Sequence, residues 1–323
     1  MEAICIGMAV ADVLAKGATE IPRDGSTVFV ERVSMSAGGD ALNQAITLAK
    51  LGHDVGLMTL VGDDPQGAFL VERCAKYGVD IRGVAISPAL PTSTTIVLVG
   101  PDGERSCISQ RGATADGYGL SDIDLSLITP QLKVLSVGSL YCSERLDTEA
   151  LPVVLEAAKR VGATTVADFV PDRLGISKAD LSLLLGLLDY VAPSMAEAAY
   201  LTSKPDPQEA VDVLLDMGAR NVVLKLGAQG ALARNKQVDL RVPAYATEVA
   251  DTTGAGDNFM AGFISGLLRR RSLRGCLELA SATAALSVQA LGATAGVRDA
   301  AQVESFLRRH LQQMPPCTIE ARD

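Results

Sequence analysis

Tryptophan is absent, and aromatic residues make up 4% of the 323 positions. Histidine occurs twice, as His53 and His310. The first follows a glycine in a turn and the second lies in a basic C-terminal helical run, so neither has a metal-ligand spacing and a Ser–His–Asp mechanism has no support. The cysteines, Cys5, Cys74, Cys107, Cys142, Cys276 and Cys317, are scattered without a CxxC pair. That excludes a zinc ribbon and a disulfide framework and reads as reduced thiols. No apolar run is long enough to span a bilayer. Residues 3–10 are apolar but lack a basic flank, and Asp12 interrupts them, so no secretory signal is read and the cytoplasm is the expected compartment. A GxxxxGK[ST] phosphate loop is also missing. Lys and Arg number 29 against 38 Asp and Glu, a formal charge of −9. That balance argues against nucleic-acid or anionic-membrane partners while allowing a local basic pocket.

Hydrophobic residues make up 48% of the chain and charged residues 21%, enough for a sizeable core and against wholesale disorder. Short apolar runs at 3–7, 55–61, 133–138, 164–169, 190–193 and 221–227 read as buried strands. Between them the spacing is helical: Leu42, Ala45, Ile46 and Ala49 share one face, as do Phe259, Gly262, Phe263, Gly266 and Leu267. The alternation predicts an α/β fold of three layers, α-β-α, around a mostly parallel sheet. Residues 13–35 and 92–110 break the rhythm. The first contains no clear helix, and the second reads as a hairpin turning at Pro101–Asp102–Gly103. Together they are expected to form a small β-rich lid inserted in one domain over residues 1–315, with 316–323 as a C-terminal tail.

The stretch DTTGAGDNF at 251–259 stands directly before a helical pattern. Gly254, Ala255 and Gly256 leave backbone N–H groups uncovered where a helix N-terminus has no internal acceptors, which makes an anion cradle. Asp257 beside it could take a proton from an attacking hydroxyl while the amides stabilise phosphoryl charge. A glycine turn followed by a capping aspartate is the simpler alternative.

Taken with its surroundings, DTTGAGDNFMAGF resembles the C-terminal signature of the ribokinase-like, or PfkB, carbohydrate kinases. SAGGDALNQAITLAKLG (36–52) resembles that family's N-terminal glycine motif, VGDDPQG (61–67) its following turn, DGERSCISQRGAT (102–114) its lid strand, and NVVLKLGAQGAL (221–232) its nucleotide-facing strand. The matches keep family order over nearly the whole chain. The resemblance implies an ATP- and Mg2+-dependent sugar kinase. In it Asp257 is the catalytic base, with Gly254, Ala255 and Gly256 as the anion hole. Asp12, Gly38, Gly39 and Asn43 would bind the sugar, and Lys225, Gly227 and Gly230 would border the nucleotide. Glu197 would hold Mg2+ through water, and the carbonyls of Asp251 and Thr253, with LGATAG (291–296), would hold a monovalent cation such as K+.

Two positions depart from the family pattern. Ser194 stands where an asparagine helps order magnesium, and its hydroxyl could still hold a metal-bound water. Asp40 follows the glycine pair where ribokinases often carry lysine, which disfavours ribokinase itself and an anionic group nearby. Arg173, in DFVPDR (168–173), and Arg111 are weaker candidates for a phosphate contact. The lid strands leave edges that a second copy could cover, so a homodimer through the lid is expected. A nucleoside acceptor and a non-catalytic sensor remain as alternatives; the low aromatic content favours a sugar over a nucleobase.

Overall fold

A computed structural model describes residues 1–17, 25–100, 105–170, 175, 180–311 and 320–321. The chain opens with β1 (Ala3–Gly7), β2 (Val10–Lys16) and β3 (Arg32–Gly38), then helix α1 (Asp40–Lys50). β4 (Val55–Gly62), α2 (Pro65–Lys76) and β5 (Val84–Ser87) follow, and then the pair β6 (Thr94–Val99) and β7 (Arg105–Gln110). Short α3 (Ala113–Asp116) leads to β8 (Val134–Leu140), α4 (Leu151–Arg160), β9 (Thr164–Phe169), α5 (Leu181–Leu187) and β10 (Tyr190–Val191). Next come α6 (Met195–Thr202), α7 (Pro207–Asp216), β11 (Val222–Lys225), β12 (Ala231–Arg234) and β13 (Val238–Val242). The chain then passes through α8 (Ala255–Leu268), α9 (Leu273–Ser287), α10 (Ala300–Leu311) and β14 (Glu320–Ala321).

The main sheet runs β14-β13-β12-β11-β10-β9-β8-β1-β4-β5. From β11 to β5 every pairing is parallel, and β12, β13 and β14 extend it antiparallel. Every residue of β1 and β4 is buried, as expected where helices cover both faces of a parallel sheet. The pleat sends alternate side chains to opposite cores. Ile4 and Ile6 join Leu135 and Val137 in one cluster with residues of α4, α5 and α7. Ala3 and Cys5 face the other, among residues of α1, α2, α8 and α9. The three-layer reading from periodicity therefore holds, and all the expected core strands are present. Of the expected C-terminal tail, Glu320–Ala321 pairs with β13.

The two segments that broke the rhythm meet in a separate sheet of order β3-β2-β6-β7. β2 pairs antiparallel with β3 and parallel with β6, so one hydrogen-bonded ladder joins regions about eighty positions apart. The turn expected at Pro101–Asp102–Gly103 lies outside the described residues. Alternation gives this sheet two unlike faces. Ser36, Asp12, Thr95 and Ser109 form one cross-strand row, and Met35, Val13, Ile96 and Ile108 form the neighbouring row on the opposite face.

Helix α8 positions the site. Its residues Asp257 to Gly266 are all buried, which explains why its sequence is apolar around most of its circumference. Gly262 and Gly266 lie directly against Ala280 and Cys276 of α9, so the two helices approach closely there. The other side of α8 meets α1.

Candidate active site

The start of α8 is built by Gly254, whose φ of 71° is the left-handed conformation that glycine adopts without a side-chain clash. A Cβ at Gly254 would stand 2.7 Å from the Cβ of Ala293, so the turn is pressed onto the 291–296 loop. Asn258 donates to the carbonyls of Gly254 at 2.7 Å and Ala293 at 2.6 Å. The Asn258 N–H closes the first helical hydrogen bond on Gly254 O. The amides of Gly254, Gly256 and Asp257 therefore precede the helix's internal ladder. Ala255 differs from the other expected cradle members: its N–H donates to Thr252 O at 3.2 Å, within the turn itself.

Asp257 is 7% exposed. Its Oδ2 accepts a 2.7 Å hydrogen bond from Asn43 Nδ2 on α1. Asn43 Oδ1 is buried and meets no donor among the described residues. Burial pushes the Asp257 carboxyl up to about 6. The Asn43 bond and Lys225 oppose that rise, and the nearby carboxylates of Asp168 and Glu197 add to it.

Lys225, at the end of β11, bonds Asp168 Oδ1 at 2.5 Å. Both side chains are nearly buried, at 12% and 4% exposure. Asp168 also accepts the Phe169 N–H at 2.8 Å. Burial alone would lower the Lys225 ammonium, but Asp168 and Glu197 hold it above its usual range. A Cβ at Gly256 would lie 3.4 Å from Lys225 Nζ, so this ion pair sits beside the amide cradle. Glu197 opens α6, where its Oε2 accepts the Ser194 N–H at 2.6 Å and Ser194 Oγ accepts the Glu197 N–H at 3.3 Å. This reciprocal cap uses one acceptor position of the Ser194 hydroxyl that the sequence suggested for a metal-bound water. Burial raises the Glu197 carboxyl, with Asp168 adding and Lys225 opposing.

A cavity of about 550 Å³ opens on this cluster. Lys225, Gly227, Gly230, Ala255 and Gly256 line its polar end, and Tyr245, Phe259, Ala285 and Val288 its apolar body. The three residues expected at a nucleotide thus line one cavity, while Tyr245, Ala285 and Val288 are lining residues the sequence did not single out.

The expected sugar ligands lie on the side toward the small sheet. Asp12 lies on β2, just past β1, and Gly38 packs against its carboxylate, where a Cβ would come within 2.2 Å. Burial lifts the Asp12 carboxyl to about 6. Gly39 caps α1 four residues ahead of Asn43. Asp251 is buried and links the two halves of the expected cation loop, accepting from Thr253 N and Oγ1 at 2.7 Å and from Gly292 N at 2.8 Å. Arg111 pairs instead with Asp116 at 2.6 Å, and Arg173 lies outside the described residues. Among the described residues, no three acidic, histidine or cysteine side chains are arranged to hold a metal by themselves. Asp168 was missed, although an acid at the carboxyl end of a parallel strand is where open α/β sheets place ligand contacts.

A family model for pfkB family carbohydrate kinases matches residues 2–300. The chain is 28% identical over 274 residues to an ATP-dependent 6-phosphofructokinase of Thermoanaerobacterium thermosaccharolyticum, covering 83% of this chain and 84% of that one. It is 29% identical over 293 residues to an aminoimidazole riboside kinase of Salmonella typhimurium, covering 84% and 88%. The structure of Arabidopsis thaliana ribokinase complexed with ribose and ATP superposes with a TM-score of 0.82 at 24% identity, over 95% of this chain and 98% of that one.

Replacing Gly254 by alanine forces a side chain into a left-handed turn and onto Ala293. The Gly254→Ala variant should lose about 1–3 kcal/mol of stability in urea unfolding. An unchanged midpoint and slope would mean that the 291–296 loop does not press on this turn.

Proposed function

The chain belongs to the pfkB family of carbohydrate kinases, and on that premise we propose that it transfers the γ-phosphoryl group of ATP to a hydroxymethyl group of a sugar or sugar-like molecule. The observation that carries the proposal is the buried Asp257 carboxylate, held by Asn43 in the first turn of α8 beside a Lys225-lined cavity.

The cavity takes the nucleotide, its apolar body receiving the base and its polar end the phosphates. Gly254, Gly256 and Asp257 N–H groups face the transferred phosphoryl group, and Lys225 adds positive charge beside them. Asp257, ionised, accepts the proton of the acceptor hydroxyl. The sugar is held by Asp12, the Gly38–Gly39 backbone and Asn43 Oδ1, which meets no donor among the described residues. The small sheet acts as a lid that excludes water, which would otherwise compete as phosphoryl acceptor.

Three carboxylates, Asp168, Glu197 and Asp257, surround one ammonium, and the Glu197 and Asp257 carboxyls are pushed upward. That surplus of negative charge fits a magnesium ion arriving with ATP phosphates, bound through one or two carboxylates and water. Glu197 and Asp168 would hold it, and the ion would neutralise phosphate charge. The Asp251–Thr253 carbonyls, tied to the 291–296 loop, are the proposed seat of a monovalent cation.

The exposed apolar face of the small sheet supports a homodimer through the lid. Val33, Met35, Ile96 and Ile108 are 64%, 43%, 41% and 52% exposed, an apolar face that a second copy would cover. No described helix is long and apolar enough to cross a membrane, and we place the enzyme in the cytoplasm. The riboside kinase relative keeps a nucleoside acceptor as the second reading. A sensor without catalysis would have no use for a buried base, so the third reading falls behind.

Asp257→Asn should lower kcat by about a hundred- to ten-thousand-fold while nucleotide binding and the unfolding temperature are retained; near-normal turnover would overturn the assignment. Protonation removes the base, and burial raises its pKa, so kcat/KM should fall as pH drops below about 6 rather than near the usual carboxylate range. A profile flat to pH 4.5, roughly the ordinary range, would contradict Asp257 as the base. An Ile96→Lys, Ile108→Lys double variant should sediment as a monomer where the parent is a dimer.

A further inference from the structure

Helix α1 carries a polar stripe at three positions spaced i, i+4 and i+7, all on one face. Asn43 bonds Asp257. Thr47 Oγ1 donates to Asn258 Oδ1 at 2.9 Å. Lys50, in the last turn, donates its ammonium to Thr294 O and, at 3.0 Å, to Val297 O. The same ammonium stands 4.8 Å from the centre of the Tyr77 ring. These acceptors belong to the segment that presses on Gly254, bonds Asn258 through Ala293 O, and meets Asp251 through Gly292 N.

We infer that Lys50 is a positioning residue for phosphoryl transfer: a tethered, half-buried cation that fastens the 291–297 loop and thereby fixes the amide cradle at the start of α8. Two features fit that role. A charged donor to two backbone carbonyls is stronger than a neutral one. The α1 C-terminus favours a cation there. The stripe links one rigid helix to base, helix cap and loop at once, so a loosened loop shifts the amides relative to Asp257.

The kinetic consequence rests on the kinase reading, so the test has two arms. In hydrogen exchange, Lys50→Met should speed amide exchange in both 291–297 and 252–257 relative to the parent. In turnover, it should lower kcat about tenfold or more while KM for ATP and sugar stays within about twofold, and Lys50→Arg should restore most of the rate. If Lys50→Met does not fold, Lys50→Gln, which keeps donors without charge, takes its place with the same expected outcome. Unchanged exchange at 252–257, or a lowered unfolding temperature with kcat per folded molecule intact, would overturn the inference. A parent protein that phosphorylates no acceptor would sink the kinase reading instead, and the exchange arm would still decide the role of Lys50.

Discussion

A carboxylate buried in the first turn of a helix can act as the base proposed for Asp257 only if it stays ionised and stays still, and its surroundings bear on both. The uncovered amides at the start of α8 and the Lys225 ammonium favour the charge, while burial and the carboxylates of Asp168 and Glu197 oppose it. The balance leaves the group near the pH at which a base works best. Stillness comes from Asn43, from the Asn258 bonds to Gly254 and Ala293, and from the buried contact of α8 with α1 and α9.

The rest of the architecture follows from where that turn must sit. A parallel sheet puts the ends of β9 and β11 on the same edge, which brings Asp168 and Lys225 together although 57 positions separate them. The small sheet puts a polar row containing Asp12 on one face and leaves an apolar row on the other. One strand pleat thus serves the proposed substrate and the proposed partner at once.

Much of this was legible in the sequence because the relevant signals are local. Strands buried on both faces read as continuous apolar runs, as in β1 and β4. The glycines and aspartate of the α8 turn are contiguous, and so is the Gly38–Gly39 entry to α1. What could not be read depends on acceptors far away in the chain. Lys50 looks like any basic residue ending a helix until the carbonyls of Thr294 and Val297 arrive beside it. Asp168 looks like an acid near the end of a strand until β11 delivers Lys225. Ser194, which the sequence suggested for a metal-bound water, also caps α6, a reciprocal arrangement already encoded by Glu197 three residues on. The Ala255 amide, expected in the cradle, closes the turn because Gly254 bends the chain back onto Thr252. The join between β2 and β6 was anticipated only as two β-rich insertions meeting, without the parallel register.

The measurement that bears most directly on the central claim is stoichiometric transfer. Purified protein incubated with Mg-ATP and a panel of neutral sugars and ribosides, followed by phosphorus NMR, should form ADP and a primary-alcohol phosphate ester in equal amounts for at least one acceptor. ADP should not accumulate when the acceptor is omitted. ADP formed equally well without any acceptor, or a phosphate ester found only on the protein, would contradict an amide cradle and a buried base acting together on a bound alcohol.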